Sequence, residues 1–297
     1  MEVHGKHTMN QTTRSCTKIT VSDTDASSLY PSSYQDHIPE PDVRHSAGRR
    51  IEDHISSYPK ASLAWELLIK VSHISVLWDM AAFTTTERLR MNDHGRIHAQ
   101  VTAASALTIL DLLCSSDIKP DIIKKGGDLD DAMLIVLVSA LCHDIGNAIH
   151  RDSHLSHSMM LAQPILDMIL PVIYPDPKTA LLMSTVILSA IHSHHGDPKP
   201  LTIEGSIISV ADASDMTKGR ACHSTDISTA SMHAISTLAI DDVIITRGLN
   251  RPVEIQILMS QLAGMFQIHE TLIPKIHAGL LKEHINVYIP LQDQYIY

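Results

Sequence analysis

From residue 61 onwards, apolar positions recur at helical spacing in a series of segments separated by polar or Gly/Pro breaks. "SLAWELLIKVSHISVLWDMAAF" (62–83) and "HGRIHAQVTAASALTILDLLC" (94–114) are the first two. "DLDDAMLIVLVSALCHD" (128–144) opens on aspartates suited to capping free amides, and its apolar residues run all round. A helix without a polar face belongs at the centre of a core. "SHLSHSMMLAQPILDMIL" (153–170) follows, then "DPKTALLMSTVILSAIHSHHGD" (176–197), which begins on an Asp-Pro start signal and stops at Gly196. "GSIISVADASDMTKGR" (205–220) is the sixth.

Beyond residue 235 the period changes. "DDVIITRG" and "RPVEIQILMS" alternate, with Val253, Ile255, Ile257 and Met259 on one face, across a short Gly/Asn/Pro connection. "AGMFQIHETLIPKIHAGLLKE" returns to a helical period with Pro274 expected to kink it, and "INVYIPL" reads as a strand. The fold expected is therefore mainly α: a helical bundle over 61–235 with a small β-β-α-β appendage over 236–297. Residues 1–60, rich in Ser, Thr, Pro and charge and without a sustained period, are expected to be a poorly ordered or loosely docked arm.

Composition changes this picture in three respects. Aromatic residues are 4% of the chain while hydrophobic residues are 44%, so Ile, Leu, Val, Met and Ala must fill the core. The net charge of −10 argues against a surface that coats nucleic acid, which requires Lys and Arg to neutralise phosphates. A small anionic substrate stays open, because a bound metal supplies local positive charge. The four cysteines (Cys16, Cys114, Cys142, Cys222) form no CxxC pair, and Cys114 and Cys142 fall in apolar helical contexts, as buried thiols do. No uninterrupted apolar run reaches the roughly 18–20 residues of a spanning helix, and the N-terminus has no apolar signal region. A cytoplasmic protein, with no membrane partner, is expected.

The twenty histidines matter by position. His94 and His98 lie one turn apart at the start of the second segment. His143 and Asp144 end the central one, His154 and His157 open the next, and His192, His194 and His195 close the fifth. Asp212 and Asp215 lie in the sixth. Helix ends can converge on one point in a bundle, and imidazole with carboxylate suits divalent iron, manganese, nickel, cobalt or zinc. The cysteines offer no structural zinc site.

The ordered pattern, an upstream His98, His143 with Asp144, His154, His194 with His195, and Asp212, resembles the HD superfamily of metal-dependent phosphohydrolases. "NDHGRIHA", "HDIGNAIHRDSH", "VADASDMTKGRA" and "MSQLAGMFQIHETL" resemble in particular a group of archaeal HD hydrolases, over roughly residues 75–290. The longer set with the His-His pair is also similar to HD-GYP cyclic-dinucleotide phosphodiesterases. The resemblance implies an HD-domain helical bundle, about two divalent metal ions and a small phosphorylated, nucleotide-like substrate. It departs from the HD-GYP pattern at Asn147, where those proteins carry lysine, and in lacking "GYP" after His195. Both departures argue against cyclic-di-GMP as substrate and leave the metal set in place.

Expected metal ligands are His94, His98, His143, Asp144, His154, His194, His195 and Asp212, with Asp144 as the bridge. His94 is open between an exposed residue, an orienting partner and a ligand. His154 and His157 compete for one position, with His154 favoured, and His154 is an alternative proton donor to the leaving oxygen. Lys218 and Arg220 are candidates for binding substrate phosphate, beside a solvated basic turn, and Asp215 is either part of the substrate site or a partner of Lys218. Lys218 also stands as a catalytic candidate, through charge neutralisation in the transition state. Two further readings stay open: an HD-fold di-iron oxygenase with nearly the same ligands, and a nucleotide-sensing regulatory module. The C-terminal appendage is compatible with covering the site or with a homodimer.

Overall fold

The computed structural model describes residues 46–70, 72–220 and 232–297. The expectations for residues 1–45, and for Cys16 and Cys222, lie outside the described residues. Among the described residues the main helices are α1 (Ala47–Ile55), α2 (Pro59–Lys70), α3 (Ser72–Ala82), α4 (Arg96–Cys114), α5 (Leu129–Cys142), α6 (His154–Ile173), α7 (Pro177–Ser193), α8 (Ile203–Ser214), α9 (Met232–Leu238) and α10 (Ile273–Ala278). The strands are β1 (Ile240–Arg247), β2 (Val253–Met259), β3 (Ile285–Ile289) and β4 (Gln294–Tyr295). They form one sheet in the order β1-β2-β3-β4, with β2 and β3 parallel and the outer pairs antiparallel. The mainly α bundle with a small C-terminal sheet is the architecture the periodicity predicts; β4 is a two-residue addition to it.

α5 is the axis of the bundle. Every residue from Asp131 to Cys142 is buried, and α2, α4, α7 and α8 pack around it. Its start is fixed by a reciprocal cap: the Asp128 carboxylate accepts from Asp131 N–H, and the Asp131 carboxylate accepts from Asp128 N–H. Lys60 of α2 donates to both carboxylates, and the Tyr174 hydroxyl donates to Asp131 Oδ1 at 2.7 Å. Asp128→Ala should cost about 1 kcal/mol of stability through loss of the cap. Denaturant midpoints measured on the metal-loaded protein check this, and an unchanged midpoint refutes the cap's contribution.

The helical core starts at residue 47 rather than 61. In α1, Ala47, Ile51 and Ile55 are buried at a spacing of one helical turn. A nine-residue helix with three apolar positions is too short to show in a stretch dominated by Ser, Thr and Pro. The segment 62–83 is likewise two helices, α2 and α3, and continues as a π-helical turn, Phe83–Arg88, where the Thr85 and Thr86 hydroxyls donate to the Ala81 and Ala82 carbonyls. α7 begins as its sequence predicts: Asp176 accepts from Thr179 N–H, Pro177 occupies the first turn, and Gly196 at φ 92° follows the helix end.

α4 and α6 are each long and apolar enough to cross a bilayer by length and composition. Counting uninterrupted runs misses them because His98, Thr102 and Ser105 break the run in α4, and Gln163 and Asp167 break it in α6, without lowering the mean hydropathy enough. In the bundle, α4 packs against α5 and α8, and those same polar residues of α4 are buried.

The C-terminal unit shares one continuous core with the bundle. Ile240, Val253, Ile255, Ile257, Ile276 and Ile285 belong to the same buried cluster as Leu134, Val138 and Leu141 of α5. α10 packs on α8, where the Leu280 N–H donates to Ser206 Oγ at 2.9 Å.

Candidate metal centre

Five helix ends meet at one place. The start of α4 brings His94 and His98; the end of α5 brings His143 and Asp144; the start of α6 brings His154; the end of α7 brings His194; and the end of α8 brings Asp212 and Asp215. All are at most 8% exposed. Buried imidazoles and carboxylates at this density need partners, since each unpaired polar group in a core is costly.

The histidines are oriented by one recurring device. The Nδ1–H of His143 donates to the Ala140 carbonyl, that of His154 to Arg151 and that of His194 to Ile191, at 2.7–2.9 Å, each three residues back along the chain. His98 donates its Nδ1–H to Asp215 Oδ2 at 2.7 Å. With the Nδ1 proton tied down, each ring turns its Nε2 toward the centre, which fixes the tautomer a metal requires.

Those Nε2 atoms surround Asp144, and its two oxygens face different sets. Oδ2 lies 3.4 Å from both His98 Nε2 and His143 Nε2, and these two face Asp212 Oδ1 at 3.2 and 3.7 Å. Oδ1 lies 3.5 Å from His154 Nε2 and 3.6 Å from His194 Nε2. Two groups result that could each hold a metal ion, His98–His143–Asp144–Asp212 and Asp144–His154–His194, with the donor atoms of each within 4.8 Å of one another.

Around these groups stand the residues that hold them. His94 approaches Asp144 Oδ2 through Nδ1 at 2.6 Å, and the Asn147 amide donates to the Asp144 carbonyl and to its Oδ1, both at 2.9 Å. His94 is thus placed as a partner of Asp144, outside both donor groups. His195 also lies outside them: it is exposed, with its ring 5.6 Å from that of His154. His154 belongs to a group and His157 does not. Arg220 is buried, donating to the Asp93 and Asp215 carbonyls, with Nη2 3.0 Å from His94 Nδ1 and 3.2 Å from His98 Nε2. Asp215 faces His98 rather than Lys218. Lys218 is apart from the cluster, its side chain 58% exposed and donating to Asp241.

Two residues entered the centre without notice from the sequence. Lys275 of α10 donates to Asp212 Oδ2, and Arg151 lies 3.9 Å from Asp144 Oδ1. Lys275 did leave a signal: Leu272, Lys275 and Ile276 share one buried helical face, so a lysine interrupts an apolar stripe.

The electrostatics is that of a cation site. Burial acts against ionisation of Asp144 and Asp212, yet both stay well below the usual carboxylate range, Asp144 through His143 and His94, Asp212 through Lys275 and His143. Burial also opposes protonation of His143, but Asp144 and Asp212 overcome it and push the imidazole up to about 10. His94 and His194 go the other way, burial bringing each down to about 3. A proton on His143 thus sits between two carboxylates. The raised pKa means this proton contributes stability that is complete below the ordinary value of 6.5 and is lost as pH rises through about 10. The Tm of metal-depleted protein should therefore fall between about pH 7 and pH 10, a fall that bound metal, replacing the proton, removes. A flat profile in the metal-depleted protein contradicts this.

Comparison with known proteins agrees with the geometry. The family model for the HD domain matches residues 118–217, which contain His143, Asp144, His154, His194 and Asp212. An uncharacterized protein of Methanocaldococcus jannaschii is 36% identical over 233 residues, 78% of this chain and 90% of that protein. No solved structure matches the chain significantly. With a family model over its central helices and this identity across most of its length, the chain belongs to the HD domain family, a superfamily generally of metal-dependent phosphohydrolases.

Proposed function

We propose that the protein hydrolyses a phosphate ester of a small, nucleotide-like substrate, using two divalent cations bridged by Asp144. The observation that carries this reading is the division of Asp144, with Oδ2 toward His98 and His143 and Oδ1 toward His154 and His194. The residues fit such ions on a separate ground: among the described residues His154 Nε2 is buried without a hydrogen-bond partner while its Nδ1–H is engaged, leaving a lone pair that faces Asp144 Oδ1 and is free to bind a cation. The donor set of imidazoles and carboxylates suits iron, manganese, cobalt, nickel or zinc. Ions held there acidify water and offset phosphate charge.

The chain's own residues prepare the rest. Asn147 and His94 hold the Asp144 carboxylate from two sides, so its oxygens cannot rotate together toward one group. The fixed Nδ1–H bonds keep the imidazoles from turning away. His154 we place as a ligand rather than a proton donor, because its Nε2 faces Asp144 Oδ1 beside His194. The nucleotide-like class rests on the resemblance to nucleotide-acting HD proteins. Metal analysis of the purified protein, followed by a screen of phosphomonoesters and phosphodiesters with manganese, cobalt and nickel, tests the reading. Hydrolysis of none of them by fully loaded protein overturns it, and oxygen uptake in its place favours the di-iron oxygenase.

A further inference from the structure

Asp144, Asp212 and Asp215 are the carboxylates of the centre, and Arg220, Lys275 and Arg151 already match them in number. Bound divalent cations therefore leave the centre with positive charge in excess, a state that calls for an anion. The three cations are not equivalent. Arg220 is fully engaged, by two backbone carbonyls and by the ring nitrogens of His94 and His98. Arg151 and Lys275 border the exposed His195: the Arg151 carbonyl accepts from His154, whose ring is 5.6 Å from that of His195, and the Lys275 stem lies against Gly196.

Both of these cations are under-used. Among the described residues the Lys275 ammonium makes one hydrogen bond, to Asp212, and the Arg151 guanidinium one, to Asn147 at 3.3 Å. An ammonium carries three N–H donors and a guanidinium five. A buried lysine, 6% exposed, with a single anionic partner is poorly compensated unless a further anion meets it. Its position is built: α10 is locked onto α8 where Gly279 lies so close to Ser206 that a Cβ there falls 2.7 Å from Ser206 Oγ. The lysine stem crosses the turn at Gly196, next to His195, with its Cγ 3.8 Å from where a Cβ would stand.

We propose that Arg151 and Lys275 form a phosphate-binding pair at the open side of the metal centre, so that the C-terminal unit supplies part of the substrate site. This rests on the hydrolase reading above. The guanidinium offers a planar fork to two phosphate oxygens and the ammonium a point charge to a third. The β-β-α-β unit thereby has a task in the reaction site: it carries α10.

The test is titration of the manganese-loaded full chain with inorganic phosphate by calorimetry, with metal content measured on the same samples. Arg151→Gln and Lys275→Met should each raise the phosphate Kd about tenfold or more at unchanged metal content. Lys275→Arg should stay near wild type. Arg151→Gln, at a partly exposed side chain, keeps the test valid if Lys275→Met does not fold. Wild-type phosphate affinity in Arg151→Gln, or in a folded Lys275→Met, overturns the pair, as does a loaded wild-type protein that binds no phosphate. Weakened phosphate binding in the variants, in a protein that hydrolyses no ester, overturns the hydrolase reading and leaves the pair standing. Hydrolysis with unaltered phosphate affinity in the variants does the reverse.

Discussion

Asp144→Asn should empty both metal groups and lower kcat/KM at least about a thousandfold, roughly 4 kcal/mol of transition-state stabilisation. The substitution keeps the shape of the side chain and removes its charge. Asp144 is the one residue common to both donor groups, so no other single change should reach both. Replacing Asn147, which only orients Asp144, should weaken metal binding about 10- to 100-fold, as expected of a group one step removed from the ion. Metal content after gel filtration and activity at saturating manganese separate these cases. The metal-depleted variant offers a second readout. The Asp144 carboxylate is the first of the groups that raise the His143 pKa, so in Asp144→Asn the stability lost toward about pH 10 should shrink. Two metals per chain retained in Asp144→Asn would remove the bridging role.

Much of this centre was legible because the sequence repeats one device. Apolar helices that end in His or Asp, at 143–144, 194–195 and 212–215, announce that their ends meet. The central α5 was plain from its unbroken apolar run, and the start of α7 from Asp176-Pro177. What the sequence could not separate were residues whose difference lies in direction. His194 and His195 are adjacent, yet only His194 turns Nε2 inward, because its Nδ1–H is taken by the Ile191 carbonyl. Lys218 and Arg220 share one short turn, yet one faces Asp241 at the surface and the other the buried histidines. Lys275 was out of reach for another reason: it lies 63 residues from Asp212, in a unit whose docking no local pattern specifies. α1 was hidden by brevity, since three apolar residues in nine do not outweigh the polar stretch before them.

Gly146→Ala should destabilise the protein by about 3 kcal/mol and cost it one of two metal groups. Gly146 is the turn between the end of α5 and the start of α6. Its N–H donates to Ser158 Oγ at 2.9 Å, and a Cβ on it would fall against the His154 carbonyl oxygen and 2.5 Å from Ser158 N. These are backbone atoms of α6's first turns, so relief requires the helix to move as a body. His154 is the first residue of that helix, and its distance from Asp144 is set across this contact. Displacing α6 opens the Asp144–His154–His194 group, while His98, His143 and Asp212, carried by α4, α5 and α8, keep theirs. Metal content should therefore fall from two ions per chain to one, with the Tm lowered in parallel. Gly48→Ala supplies the control, because among the described residues nothing lies within 4 Å of the added methyl and alanine favours the helix α1 by up to about 1 kcal/mol. The same chemical change should thus stabilise at one glycine and disable a metal group at the other. If Gly146→Ala retains both ions, the close contact with α6 does not set the geometry of the second group. The glycine of "HDIGN" would then serve the turn alone, and the position of His154 would have to be fixed from the α7 side, through His194 and His195.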